Sequence, residues 1–166
     1  MAQPAPVTDP FPAPAHDHGA CIETALDEAD RICRDKGARL TDLRRRVLEL
    51  IWTSHAAVGA YQLMELLGKE RGPVAPPTVY RALDFLTDHG LVHRLDSLNA
   101  FIGCRAPATD HRAYFLICRH CREVAEFADT EVSAVLDRRV QAAGFSAESE
   151  RVEVAGTCAR CRAMAA

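Results

Sequence analysis

The stretch RGPVAPPTVYRALDFLTDHGLVHRLDSLNAFIGC, residues 71–104, places a helix directly before a hairpin. Pro76 and Pro77 stand at the start of the helix, where a missing N–H is tolerated, and Thr78 is predicted to cap it. Gly90 is suited to closing the same helix. The residues that follow alternate well enough for two short strands joined near SLNA. This stretch therefore predicts a helix with a two-stranded wing.

The predicted helix has an apolar side and a chemically distinctive outer side. Val79, Leu83 and Leu86 recur at helical spacing and are expected to face a core. Tyr80 and Arg81 then point outward near the N-terminal end, where a recognition helix meets the major groove of DNA. Arginine can bond to guanine through two atoms, and tyrosine can reach a phosphate or a thymine methyl. The alternative is a plain helical bundle with ordinary surface side chains.

Helical patterns also precede this stretch, at residues 21–37, 43–54 and 59–70. Helices followed by a hairpin predict a winged helix-turn-helix. The run Arg44-Arg45-Arg46 allows either phosphate contacts or a solvated helix face, and the pattern alone leaves both open.

Composition limits the classes of protein that fit. The 166 residues carry a net charge of −3, so a DNA-binding hypothesis depends on local geometry and on a dimer, not on bulk charge. No apolar run is long enough to span a membrane, and the N-terminus has no secretory pattern. Residues 1–20 are rich in proline and alanine and are predicted to be a disordered tail. We expect a cytoplasmic protein whose seven cysteines serve metal or thiol chemistry more than disulfides.

The second half of the chain contains two Cys-x-x-Cys pairs, each near the end of a predicted strand. Cys118 and Cys121 follow the strand-forming FLI, and Cys158 and Cys161 follow a strand at 151–155. Four thiolates around one tetrahedral ion make a closed structural zinc site. The alternative is a redox dithiol, which usually lies at a helix N-terminus. The paired spacing favours zinc, so this half is predicted to be a small α/β domain held by a metal.

Four further residues have ligand-type side chains around the joint between the two halves. They are His93, Cys104, His111 and Glu126. Singly, each has an ordinary structural explanation as a surface or core residue. Together they offer two imidazoles, one thiolate and one carboxylate, a set that suits zinc.

These motifs give the chain a resemblance to the ferric uptake regulator family of bacterial metal-dependent repressors, in particular its zinc-sensing branch. PPTVYRALDFLTDHGLVHRL, FLICRHC and CARC carry the resemblance, which runs from about residue 22 to 163. It implies an α+β protein, with a winged-helix DNA-binding domain at 21–104 and a dimerisation domain at 105–166. It also implies structural zinc on the four paired cysteines and regulatory zinc on His93, Cys104, His111 and Glu126.

The resemblance further implies contacts to operator DNA. Tyr80 and Arg81 fall on residues that meet bases, Thr78 lies beside them, and Tyr61 and Arg44 fall on positions that touch the backbone. The implied function is a homodimeric repressor of zinc-uptake genes, with two zinc ions per monomer and zinc as corepressor. No catalytic residue and no small-molecule substrate are expected.

The chain departs from the family pattern in two places, the first of which weakens an iron-, manganese- or peroxide-sensing interpretation and leaves Cys104 as a zinc-type ligand. The iron-sensing branch carries a histidine cluster before the first cysteine pair, where this chain has His111 alone. The family's RxTPQR is RLTDLR here, with Asp42 and Leu43 in place of proline and glutamine. The alternatives are an iron- or peroxide-sensing member of the family, or a zinc-ribbon interaction module without DNA binding.

Overall fold

The computed structural model describes Phe11 and residues 18–165, which fall into two compact units. Residues 18–109 form the first unit, and residues 110–165 with Phe11 belong to the second. The division lies after Thr109, compared with the predicted position after residue 104. Most of the predicted tail lies outside the described residues. Its last three positions, His18 to Ala20, are helical, so the prediction of disorder was wrong there.

The first unit contains four helices and a small sheet. In chain order its elements are α1 (His18–Asp35), α2 (Asp42–Trp52), β1 (Val58–Gly59), α3 (Ala60–Arg71), α4 (Pro76–Asp88), β2 (Val92–Leu95) and β3 (Ala100–Gly103). The strands pair antiparallel in the order β1–β3–β2, with His93 opposite Ile102. The helices and the β2–β3 wing confirm the predicted winged helix-turn-helix. Strand β1 was not predicted, because two residues are too few to show a period of two.

The core of the first unit follows the apolar spacing of its helices. Helix α1 buries Leu26, Ala29, Ile32 and Cys33, which recur at intervals of three, three and one. They pack in one cluster with apolar residues of α2, α3, α4 and the wing. An ion pair between Arg45 and Asp30 also joins α2 to α1 at the surface. This packing therefore fixes the position of α4 and of the residues on its outer side.

The start of α4 differs from its prediction. The helix begins at Pro76, and its N-cap position is Ala75, which has no side chain able to bond the helix amides. Thr78 lies inside the first turn, where its own amide donates to the carbonyl of Ala75 at 2.9 Å. The two prolines already remove two of the amides that a cap would satisfy, so a capping threonine is unnecessary. At the other end, Gly90 adopts a φ of 72° and closes the helix as predicted.

The second unit is a three-stranded sheet with two helices. Its elements are β4 (Tyr114–Cys118), β5 (Val124–Phe127), α5 (Thr130–Ala142), β6 (Val152–Gly156) and α6 (Ala159–Ala165). Strand β4 is central, antiparallel to β5 and parallel to β6. The α/β character and the strand predicted at 151–155 are confirmed. Helix α6 was not predicted, and it places the second cysteine pair at the start of a helix.

Helix α5 is attached to the sheet by polar contacts. The Asp129 carboxylate accepts the amides of Glu131 and Val132 and so caps the helix. The buried Tyr114 hydroxyl lies 2.7 Å from Ser133 Oγ and donates to Glu150 Oε1 at 2.7 Å. No residue of α5 is buried, although the helix carries several apolar side chains. In the described part of the chain, no helix is long and apolar enough to cross a membrane.

Candidate metal centres and nucleic-acid interface

The two cysteine pairs meet because they follow neighbouring strands that run in the same direction. Cys118 is the last residue of β4, and its partner in β6 is Gly156, two residues before Cys158. The amide of Arg119 donates to the carbonyl of Gly156 at 2.8 Å, which extends the pairing beyond Cys118. The carboxyl ends of parallel neighbours lie at the same edge of a sheet. Sheet topology thus brings together pairs that are distant in sequence.

The four sulfurs have a geometry that fits zinc. The Sγ atoms of Cys118, Cys121, Cys158 and Cys161 all lie within 4.8 Å of one another. Cys121 Sγ and Cys158 Sγ are 3.9 Å apart, and all seven cysteines of the chain are free. Tetrahedral zinc with bonds of about 2.3 Å places its sulfurs about 3.8 Å apart. The cluster therefore needs little rearrangement to hold the ion.

The electrostatics of this cluster favour a bound dication. Burial raises the pKa of the Cys118 thiol, but amides of Cys158, Cys121 and His120 outweigh that effect and bring it down to about 6. Burial and the neighbouring thiols raise the pKa of Cys161 to about 12. Neighbouring sulfurs that cannot all ionise together are stabilised as thiolates by a metal. A redox dithiol uses one such pair, whereas here four free cysteines from two pairs share one cluster.

The turn of the first cysteine pair has an unusual backbone. Arg122 adopts a φ of 66°, a left-handed conformation that residues with a side chain seldom use. Its amide donates to the carbonyl of Cys118 at 3.0 Å and closes the turn. This conformation costs on the order of 1 kcal/mol. The turn is held by its hydrogen bonds and by the packing of the cysteine cluster.

Two of the other predicted ligands lie together in the second unit. His111 Nε2 is 2.7 Å from Glu126 Oε1, and their side chains are 15% and 6% exposed. Glu126 lies on β5 opposite Phe115 of β4, and His111 lies just before β4. We call this pair the sheet half-site. It offers one imidazole and one carboxylate.

The remaining two predicted ligands lie together on the wing of the first unit. His93 of β2 stands opposite Ile102 of β3, and Cys104 is two residues further on, so all three side chains share one face. A nitrogen of His93 and the sulfur of Cys104 lie within 4.8 Å of each other. The Cys104 amide donates to the carbonyl of Leu91 at 3.0 Å, which fixes its backbone. We call this pair the wing half-site.

The N-terminal half of α4 presents a polar surface to solvent. Tyr80 is 41% exposed, and Thr78 and Arg81 are exposed beside it. Val79, Leu83 and Leu86 are fully buried on the other side, as predicted. A helix anchored in this way can present its first two turns to the major groove of DNA.

A protein-family model supports the family suggested by these motifs. The model described as "Ferric uptake regulator family" matches residues 35–155, which span α2 to β6. The chain belongs to the ferric uptake regulator family. The resemblance seen in the sequence is thereby confirmed, and so is the α+β fold class.

Within the ferric uptake regulator family, the chain is similar to proteins named for zinc. The zinc uptake regulation protein of Escherichia coli (strain K12) is 35% identical over 137 residues, covering 82% of this chain and 80% of that protein. A structure of a zinc uptake regulator complexed with zinc and DNA matches with a TM-score of 0.83 at 33% identity, covering 87% of this chain and 97% of that one. The crystal structure of holo XcZur matches with a TM-score of 0.77 at 42% identity, covering 84% and 98%.

The family resemblance also implies that Tyr61 and Arg44 contact the DNA backbone. The two side chains differ in how freely they could reach a phosphate. Tyr61 of α3 is 78% exposed. Arg44 donates to the carbonyl of Arg39 at 2.7 Å, and its guanidinium carbon lies 3.5 Å from the centroid of the Phe85 ring. A phosphate contact from Arg44 would have to share these interactions, and it stays a prediction.

The two arginines that follow Arg44 have partners within the first unit. Arg45 pairs with Asp30, and Arg46 pairs with Glu49 and Glu70. The pairs with Asp30 and Glu70 join α2 to α1 and to α3, whereas the pair with Glu49 lies within α2. Arg45 and Arg46 are therefore held in ion pairs. They do not form the simple solvated face that the sequence also allowed.

Proposed function

We propose that this protein is a zinc-responsive DNA-binding repressor that controls zinc-uptake genes as a homodimer. One observation carries the proposal: the chain combines an exposed Tyr80-Arg81 recognition surface with thiol, imidazole and carboxylate donors that suit zinc. The printed names of its relatives, which refer to zinc uptake regulation and to complexes with zinc and DNA, support the same function. In this proposal the protein is a transcription regulator and not an enzyme.

The four paired cysteines are proposed to hold a structural zinc. They join the end of β4 to the segment after β6, and the short helix α6 begins directly behind Cys158. When bound, zinc supplies a fixed tetrahedral centre whose binding free energy becomes folding free energy of this unit. Arg160 donates to Glu123 at 2.6 Å and so joins α6 to the turn that carries Cys121.

The two half-sites are proposed to share a second, regulatory zinc. Each half-site offers two ligands, whereas a closed zinc site takes four. Together they supply two neutral imidazoles, one thiolate and one carboxylate, so their two negative charges balance those of a Zn²⁺ ion. This gives two zinc ions per monomer, and only the second would link the DNA-binding unit to the sheet unit.

Regulation follows from the difference between these two sites. A ligand shared by two units favours the arrangements in which both half-sites can reach it. If those arrangements also align the two recognition helices of a dimer with successive major grooves, zinc raises operator affinity. A coupling of about 1–3 kcal/mol would change that affinity roughly 5- to 150-fold.

The proposed homodimer explains the apolar surface of the second unit. Val135 of α5, Phe145 and Val154 of β6 are 46%, 67% and 50% exposed. Strand β6 is also an edge strand, paired with β4 alone among the described strands. Exposed apolar side chains and an open strand edge in the same unit are features that a second copy can cover. Light scattering would show a dimer, and Phe145→Lys or Val154→Asp should shift it toward monomer.

The decisive experiment measures zinc content and DNA binding on the same samples. The full chain is assayed for zinc per monomer before and after mild chelation, and for binding to DNA upstream of zinc-transporter genes and to random duplex. We expect two zinc ions to fall to one, with the dimer intact and specific DNA binding lost. Added zinc should restore the second zinc ion and specific DNA binding.

Matched cysteine variants locate the regulatory site. Cys104→Ser should keep the structural zinc but lose zinc-dependent DNA binding, and His93→Ala should behave in the same way. Cys21→Ser makes the same chemical change at a half-buried cysteine of α1 and should leave both properties unchanged. A full zinc response in Cys104→Ser would show that the regulatory site is assigned wrongly.

The same assays separate the alternatives. If the chain holds one zinc both before and after chelation, and DNA binding does not respond to metal, the zinc has only a structural role. A response to iron or to peroxide, and not to zinc, would support a sensor of another branch of the family. Absence of DNA binding under every condition would support an interaction module.

A further inference from the structure

Two histidines outside both proposed zinc sites lie side by side in the first unit. His18 is the first residue of α1, and His55 lies in the loop between α2 and β1. Their ring centroids are 4.7 Å apart, with an angle of 31° between the ring planes, and both residues are half-buried. Their sequence separation means that tertiary structure alone brings them together. We call them the α1–loop histidine pair.

The backbone that carries this pair is held from both sides. Cys21, one turn after His18, and Trp52, three residues before His55, line the same cavity of about 290 Å³. Further along the two helices, Ile32 of α1 and Leu48 of α2 belong to one hydrophobic cluster. Packing of α1 on α2 therefore places α1, which carries His18, beside the end of α2, from which the loop with His55 begins.

Two adjoining imidazoles have a restricted chemistry. Neutral imidazole is the commonest protein ligand of divalent first-row transition ions. Rotation of the two side chains can bring one nitrogen from each ring to about 2.0–2.1 Å from a shared ion.

From this juxtaposition we propose that His18 and His55 form a further binding site for zinc or a similar divalent transition ion. Among the residues that the structure describes, His18 and His55 supply two ligands there, and water can fill the other positions. With fewer protein ligands than either four-residue set, this site binds zinc more weakly and fills only at higher free zinc. Its occupation ties the first turn of α1 to the loop before β1 and stabilises the DNA-binding unit by ligand linkage. The proposal does not depend on the regulatory site.

The test uses the full chain already loaded with its tighter zinc. Zinc is added alone, and bound metal per chain is measured by equilibrium dialysis. The wild type should take up one further, weaker equivalent, and each of His18→Asn and His55→Asn should lose it. His89→Gln is the matched control, because the His89 ring stacks on Phe85 at the end of α4 and not on another histidine. The tighter zinc and its DNA response should be unchanged in all three variants.

A second measurement does not depend on variants. The imidazole NMR signals of His18 and His55 should shift together over the range of zinc that fills the weaker site, whereas those of His89 should not. Trp52, the single tryptophan of the chain, lies three residues before His55 and lines the same cavity as Cys21, so its fluorescence offers a further readout. Absence of a further equivalent, or its retention in both asparagine variants, would overturn the proposal. Loss of the tighter zinc from an asparagine variant that keeps the weaker equivalent would also overturn it, because that histidine would then belong to a tighter site.

Discussion

Gly103, the last residue of β3, is a position where one added methyl group should strongly lower the free energy of unfolding. A Cβ built there would overlap Cε2, Nε1 and Cζ2 of the Trp52 indole. Gly103 is buried, and Trp52 packs against the core of the first unit. Gly103→Ala therefore forces the end of α2 and the wing apart.

The expected magnitude follows from overpacking. Forcing an extra carbon into a packed interior costs about 1–3 kcal/mol in the free energy of unfolding. For a unit of this size, each kcal/mol lowers Tm by about 4–8 °C. Since Cys104 is the next residue, displacement of the wing strand should also weaken the regulatory zinc more than the structural zinc.

Unfolding by urea, followed by far-UV circular dichroism, measures this cost. Gly68→Ala is the control, because Gly68 lies inside α3 and an added Cβ meets nothing within 4 Å. That change should stabilise the protein by about 0.5–1 kcal/mol, since alanine favours a helix more than glycine does. The same substitution is thus expected to have opposite signs at the two sites.

A double-mutant cycle shows whether the indole is responsible. Leucine at position 52 lacks the three atoms that an alanine at 103 would meet, so Gly103→Ala should cost little in a Trp52→Leu background. The coupling is expected to be about 1–3 kcal/mol. If Gly103→Ala is neutral, or if its cost is the same in both backgrounds, the proposed packing of Trp52 on the wing is wrong.

Three further predictions concern the cysteine cluster, the recognition helix and α5. Cys118→Ser should unfold residues 110–165 and remove both proposed zinc ions, because three thiolates cannot close the tetrahedral site and the regulatory ligands His111 and Glu126 lie in the same unit; metal analysis and circular dichroism check this. Arg81→Ala should weaken specific DNA binding by about 1–3 kcal/mol in fluorescence anisotropy, whereas equal losses on random duplex would indicate a phosphate contact. Asp129→Ala removes the acceptor of two α5 amides and should cost about 1 kcal/mol in thermal melts, with Asp129→Asn retaining most of that stability.

The regular elements could be predicted because their signals are local. Helix α4 was found from Val79, Leu83 and Leu86 at helical spacing and from Gly90 at its end, and all four predictions hold. The prediction that Thr78 caps α4 failed, because two prolines at the start of a helix already remove amides that a cap would satisfy. The two-residue strand β1 could not be found, since its existence depends on pairing with Phe101 of β3.

The sequence by itself determined the chemistry of the candidate sites. Two Cys-x-x-Cys pairs, and a thiol with imidazole and carboxylate donors, indicate zinc through residue type and spacing alone. Tertiary structure decided which donors share a site. Parallel pairing of β4 with β6 unites the two cysteine pairs, and the tertiary fold of the first unit brings His18 to His55. Ligand preference is a property of each side chain, whereas proximity between residues distant in sequence exists only when a core fixes the backbone.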